Sequence, residues 1–190
     1  MGAVEKLELL DVETYLLREE QGDVRHEYLN GVIYAMAGAK NRHNAISTNA
    51  IISLGSSLRG SSCRPTNSDT KIRVLLPNEI RFYYPDAMVV CDRNPDDDNF
   101  EDRPVVIIEV LSEGTRRTDL AEKREAYLQV SSLRVLIFIE QDFPKVMVDR
   151  RGDHGFESES YSGLEAVIPL PEVEIDLPLA RLYEDVEFSD

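Results

Sequence analysis

Apolar positions first recur at helical spacing in VETYLLREE, where Val12, Tyr15 and Leu16 share a face behind Asp11. Asp11 is of a capping type, so the pattern predicts a short capped helix. HEYL is then joined to VIYAMA by Asn30-Gly31. That dipeptide supplies both positive-φ residues of a type I′ turn and predicts a β-hairpin. From Arg42 to Leu58, the positions Ala45, Ile46, Ala50, Ile52, Leu54 and Leu58 form a second helical stripe, ending near Gly60. SSCRPTNS reads as a loop and DTKIRVLL as a strand closed by Pro77-Asn78. AMVVC, entered through Pro85-Asp86, is the next strand, and the acid-rich DRNPDDDNFEDRP is a solvated loop. VVIIEVLS is apolar on both faces, the pattern of a central strand. Thr118 to Ser131 reads as a helix carrying Leu120, Tyr127 and Leu128, with Asp119 and Glu122 as a capping box. RVLIFIE and KVMVDRR follow as strands paired across Gln141–Pro144, and the order VVIIEVLS, helix, RVLIFIE predicts a right-handed βαβ crossover. AVIPL and VEIDLPLARLY suit a terminal strand and a last short helix. The pattern predicts one α/β domain over residues 1–190, a mixed β-sheet flanked by helices with an N-terminal helix and β-hairpin.

A length of 190 residues fits one domain with its own core. MGAVEKLELLDVE lacks the basic and apolar segments of a secretory signal, and no apolar run approaches the ~20 residues that span a bilayer. Gly2 is followed at position 6 by lysine, which breaks the myristoylation pattern. These features predict a soluble, cytoplasmic protein with no membrane partner. In that compartment Cys63 and Cys91, far apart and without CxxC spacing, are expected to be separate, small buried hydrophobes.

Two acids interrupt otherwise apolar strands. Asp86 opens AMVVC directly after Pro85, and Glu109 lies in the middle of VVIIEVLS. A carboxylate buried in a strand is costly unless it is paired or bound to a metal. On neighbouring strands the two could converge on a hard cation, which takes oxygen ligands and keeps several waters. The alternatives are a turn-forming or capping role for Asp86 and a salt bridge from Glu109 to Arg116, Arg117 or Lys123. Alternation places Ile107, Glu109 and Leu111 on one face, so position 111 offers no lysine beside Glu109. Lys123, on the following helix, is the nearest replacement. It can reach back over the strand's C-terminal end, although a helical lysine is ordinarily a solvated surface group.

The stretches HEYLNGVIYAMAG with the following His43, then YYPDAMVVCD, RPVVIIEVLSEGTRRTDLAEKREAYLQV and LIFIE, span roughly residues 10 to 150. Together they resemble a restriction-endonuclease-like family abundant in cyanobacteria, long filed as a domain of unknown function within the PD-(D/E)XK superfamily. The resemblance implies a restriction-endonuclease-like core and a DNA endonuclease that uses magnesium, with manganese as a substitute. Asp86 and Glu109 are then the metal-binding acids and the backbone carbonyl of Val110 a further ligand. Lys123 is the migrated lysine, orienting the attacking water or stabilising phosphate charge. A partly desolvated lysine would lose its proton more easily. Glu27 and His43 match recurrent accessory positions. The second motif reads Glu-Val-Leu, so the direct (D/E)XK signature is absent and catalysis depends on Lys123 reaching the site.

The formal net charge of −15 opposes a polyanionic substrate. Residues 153–190 hold 11 acids against one arginine, so two-thirds of the imbalance lies in the last fifth of the chain. Arg64, Lys71, Arg73 and Arg81 are candidate DNA-backbone contacts or ordinary surface charges. Competing with the nuclease are an inactive dimeric interaction module that keeps the fold and an enzyme for a small phosphorylated substrate. A homodimer is expected of either the nuclease or the module. No P-loop or dinucleotide-binding glycine pattern is present, no GxSxG, and no zinc-ligand spacing among His26, His43, His154 and the cysteines.

Overall fold

The computed structural model describes residues 9–36 and 38–188. Helix α1 (Val12–Gln21) begins as the pattern predicts, with the Asp11 carboxylate accepting from the Thr14 N–H at 2.7 Å. Strands β1 (His26–Leu29) and β2 (Val32–Ala35) form the hairpin, with Asn30 at φ 47° and Gly31 at φ 101°. A Cβ on Gly31 would come within 2.9 Å of Leu9 Cβ, so glycine is required there by both backbone and space. Helix α2 (Asn41–Ser57) buries Ile46, Ala50 and Leu54, whereas Ile52 turns to solvent.

The next segment corrects two expectations. SSCRPTNS is not a loop, because Arg64–Asn67 forms β3, an edge strand paired antiparallel to β6. An edge tolerates Pro65, which has no N–H to donate to a second neighbour. That pairing, Arg64 opposite Val90, brings Cys63 and Cys91 together, and they are joined in a disulfide. Sequence separation hid a proximity that only the β3–β6 ladder creates.

Pro77-Asn78 is a hairpin turn between β4 (Lys71–Leu76) and β5 (Glu79–Tyr83), followed by β6 (Ala87–Val90). The acidic loop contains only the two-residue β7 (Phe100–Glu101) before the central strand β8 (Pro104–Leu111). The crossover helix is built from α3 (Arg116–Thr118), a π-helical turn (Asp119–Lys123) and α4 (Arg124–Leu128). It starts before Asp119, so the expected capping box does not form; Ser112 Oγ instead accepts from the Thr115 N–H at 3.2 Å. Strands β9 (Val135–Glu140), β10 (Lys145–Gly152) and β11 (Gly155–Ser162) follow, then β12 (Val167–Leu170), β13 (Ile175–Pro178) and α5 (Leu179–Leu182).

The larger sheet runs β11-β10-β9-β8-β6-β3, mixed because β8 and β9 are parallel while the other pairs are antiparallel. A second sheet runs β2-β1-β5-β4-β7, and β12 pairs with β13. One face of the larger sheet, including Ile108, Val110, Ile137 and Ile139, packs on α2, α5 and the β12–β13 pair. The other, with Ile107, Leu111, Leu136 and Phe138, packs on α4 and on Ile72, Val74 and Tyr83 of the second sheet. Helix α1 closes the far side through Tyr15 against Tyr28 and Phe82. The result is a mixed α/β architecture in which β8 is buried on both faces. Among the described residues, no helix is long and apolar enough to cross a membrane.

Candidate active site

In the β6–β8 pairing Ala87 lies opposite Ile108, so Asp86 enters beside Glu109 near the C-terminal end of β8. The Asp86 carboxylate accepts from the Val110 N–H at 2.7 Å. His43, in the first turn of α2, brings Nε2 to 3.3 Å from the same carboxylate oxygen. Glu109 faces the crossover helix, where the buried Tyr127 hydroxyl donates to its Oε1 at 2.7 Å. Lys123 Nζ lies 3.7 Å from that oxygen, 2.7 Å from Glu27 Oε1 and 3.4 Å from Asp119 Oδ1.

Helix and hairpin geometry explain the convergence. Asp119, Lys123 and Tyr127 are spaced by four and share the inward face of the crossover helix. The π turn spans Asp119–Lys123 and buries both of its ends; such turns are frequent at functional sites. Glu27 arrives from β1, whose neighbour β5 is tied to the site by Tyr83, stacked edge-on against Tyr127 at 5.4 Å. All six residues expected from the sequence (Glu27, His43, Asp86, Glu109, Val110 and Lys123) therefore meet in one place. Asp119, read as a cap, and Tyr127, read as an apolar helix member, belong to it too. The four-residue spacing from Lys123 was the signal for both.

The electrostatics correct one expectation. Burial disfavours the Lys123 ammonium, but Glu109, Glu27 and Asp119 together outweigh it and hold its pKa above the ordinary lysine value. Lys123 is thus a fixed cation and not a group poised to lose its proton. Burial pushes the Glu109 carboxyl well above the carboxylate range; Lys123 pulls it down, and Asp119 and Asp86 push it further up. Burial also works against the His43 imidazolium, but the hydrogen bond and charge of Asp86 raise its pKa above the usual value.

Whether these residues suit a divalent cation can be judged from what they leave unsatisfied. Glu27 Oε1 and Asp119 Oδ1 stand within ion-pair distance of Lys123, yet neither contact has hydrogen-bond alignment, and His43 Nδ1 has no partner either. Three buried polar atoms without hydrogen bonds thus cluster around the site, where three carboxylates share one lysine. Among the described residues no three His, Cys, Asp or Glu side chains form a ready-made cage. The donor set expected from the sequence, two carboxylates and a backbone carbonyl, is of the hard-oxygen, water-completed kind that magnesium and manganese accept.

The four expected backbone contacts are mostly committed elsewhere. Arg73 is bidentate to Asp102 at 2.8 Å, Arg81 engages Glu79 and Glu122, and Lys71 is buried over the Tyr84 ring. Arg64 is exposed but bonds the carbonyls of Ser61 and Cys63.

Comparison with known proteins gives one family. The Uma2 family, described as "Putative restriction endonuclease", matches residues 12–180. An uncharacterised protein of Synechocystis sp. is 31% identical over 147 residues, covering 77% of this chain and 76% of its own. A second from the same organism is 28% identical over 144 residues, covering 74% and 80%. Among solved structures, a putative nuclease belonging to DUF820 from Anabaena variabilis superposes with a TM-score of 0.68 at 20% identity, over 83% of this chain and 89% of that one. At that identity the likeness establishes the shared fold.

Proposed function

Because the chain belongs to the Uma2 family of putative restriction endonucleases, we propose that it hydrolyses DNA phosphodiester bonds with magnesium, or manganese, held by Asp86, Glu109 and the Val110 carbonyl. The observation that carries this reading is the meeting of Asp86 and Glu109 from neighbouring strands beside a buried lysine held cationic. A divalent ion held by these residues would supply Lewis-acid activation of water and would neutralise charge on the phosphate oxygens. The protein's own groups do the positioning. Val110 N–H and His43 orient Asp86, and Tyr127 orients one oxygen of Glu109. Lys123, cationic and largely dehydrated, faces the negative charge that builds on the phosphate in the transition state. In such a low-dielectric setting a fixed charge acts more strongly than in water. The carboxylates around Lys123 also hold it in place, so it needs no reorganisation when the reaction occurs.

The ion-pair network of Lys123 with Glu27 and Asp119 also favours a second reading, in which the same residues are purely structural and the protein is an inactive dimeric interaction module. Titration of magnesium or manganese into the wild type and Glu109→Ala, followed by cleavage assays on supercoiled and single-stranded DNA, separates the two. The nuclease reading expects binding and cutting in the wild type and loss of both in the variant. A wild type that binds no metal and cuts nothing, while the variant folds at least as well, would leave the module.

A further inference from the structure

Two clefts flank the Ser112–Thr115 segment, and Gly114 and Thr115 line both. They differ in charge. The cleft on the Lys123 side, about 400 Å³, sets Glu27, Asp119 and Glu122 against a single lysine. The cleft on the His43 side, about 630 Å³, is lined by Lys40, His43, Ser112, Thr115 and Gln141, with Glu113 as its one acid. Beyond the reacting phosphate, an anionic strand is repelled by the first surface and met by donors on the second.

Gln141 is the informative residue. It directly follows β9 and is only 6% exposed, yet among the described residues no hydrogen bond engages its amide. His43 Nδ1, lining the same cleft, is a buried polar atom without a partner. Such an atom costs free energy unless a ligand satisfies it. A side-chain amide offers a donor and an acceptor side by side, the pairing that reads a base edge.

We propose that the DNA strand lies in the His43-side cleft and that Gln141 reads a base edge of the nucleotide beside the scissile phosphate. The assignment takes its substrate class from the nuclease reading above. It makes Gln141 a specificity-determining residue and Lys40 a contact to the strand.

The test uses the full chain with a position-randomised single-stranded oligonucleotide, measuring both binding and magnesium-dependent cutting. The variants are Gln141→Ala, Lys40→Ala and Tyr34→Ala, the last lining the other cleft. Gln141→Ala is expected to keep cutting while losing about tenfold in base preference at one position near the cut. Lys40→Ala should weaken binding, and Tyr34→Ala should change neither property. Gln141→Met, which keeps length without the amide, serves if alanine unfolds the protein. Cutting with the wild-type preference intact in the Gln141 variants, or lost in Tyr34→Ala, overturns the cleft assignment and leaves the nuclease. Gln141-dependent binding without cutting upholds the cleft and overturns the nuclease. Neither binding nor cutting removes both.

Discussion

On the proposed metal-dependent reading, Glu109 meets opposite demands in the empty and metal-bound protein. Burial favours its neutral form, and a cation needs the carboxylate. A carboxyl raised in the folded state contributes stability below its unfolded value and loses it as pH rises toward the folded one. Above the ordinary carboxylate range, burial of this residue therefore works against the stability of the metal-free protein. Glu109→Gln keeps the shape and an acceptor for Tyr127, and Lys123 retains Glu27 and Asp119. The variant should gain about 1–3 kcal/mol without metal, a rise in melting temperature of roughly 2–4 °C per kcal/mol. Melts in EDTA and in magnesium check this, since the wild type should rise on adding magnesium and the variant should not. Wild-type metal affinity should increase with pH above the ordinary carboxylate range, by up to about tenfold per unit for one displaced proton. A flat calorimetric profile, or an equal magnesium shift in the variant, would remove Glu109 from the metal.

At the scale of elements, one residue outside the site links three of its supports. Glu19 on α1 is 2% exposed and accepts from the Tyr84 hydroxyl at 2.7 Å, from the His26 N–H at 3.0 Å and against His26 Nδ1 at 2.9 Å. His26 precedes Glu27, and Tyr84 stands two residues before Asp86, so α1 holds both arms of the site in register. Lys71, buried nearby with its pKa lowered by burial, takes compensating charge from Glu19. Truncation in Glu19→Ala strands all of these groups and should cost about 2–4 kcal/mol, with Glu19→Gln losing less; urea unfolding measures both. Equal stability of Glu19→Ala and wild type would show that α1 is not an anchor. None of this was legible in VETYLLREE, where Glu19 reads as one more solvated helical acid. The helix itself, the Asn30-Gly31 hairpin and β8 were legible because each is written in local periodicity or turn chemistry. The edge strand β3, the disulfide, β5 and β11 were not, because long-range pairing defines the first two and β11, GFESESYS, is too polar to stand out. Of the site, Asp119 and Tyr127 were not legible. Asp86 and Glu109 betrayed themselves as acids in apolar strands, whereas Asp119 is an acid in a helix, where acids are ordinary.

The distribution of charge over the whole molecule decides what kind of DNA binding is physically open to it. The acid-rich last fifth forms β11 at the edge of the larger sheet and the β12–β13 and α5 cover on the face opposite Glu109 and the crossover helix. The chain thus keeps that charge off the Glu109 face, but it does not build a basic counterpart. Arg25, Arg73, Arg81, Arg124 and Arg150 are all bonded to carboxylates. Exposed cations near the site without an ion pair among the described residues reduce to Lys40 and Arg117. If the proposed nuclease reading holds, strand affinity must then come from metal ions, a few cations and neutral donors, and not from an extended phosphate-neutralising surface. Each neutralised phosphate contributes about −0.7 to the slope of log affinity against log salt for single strands. Two or three contacts give a slope of roughly −1.5 to −2, shallow for a nucleic-acid-binding protein. Fluorescence anisotropy of a single-stranded oligonucleotide from low to moderate salt, at fixed magnesium, measures it directly. A slope three times steeper would mean that the ion pairs open to free their arginines on binding, and the charge map of the unliganded protein would no longer describe the bound one.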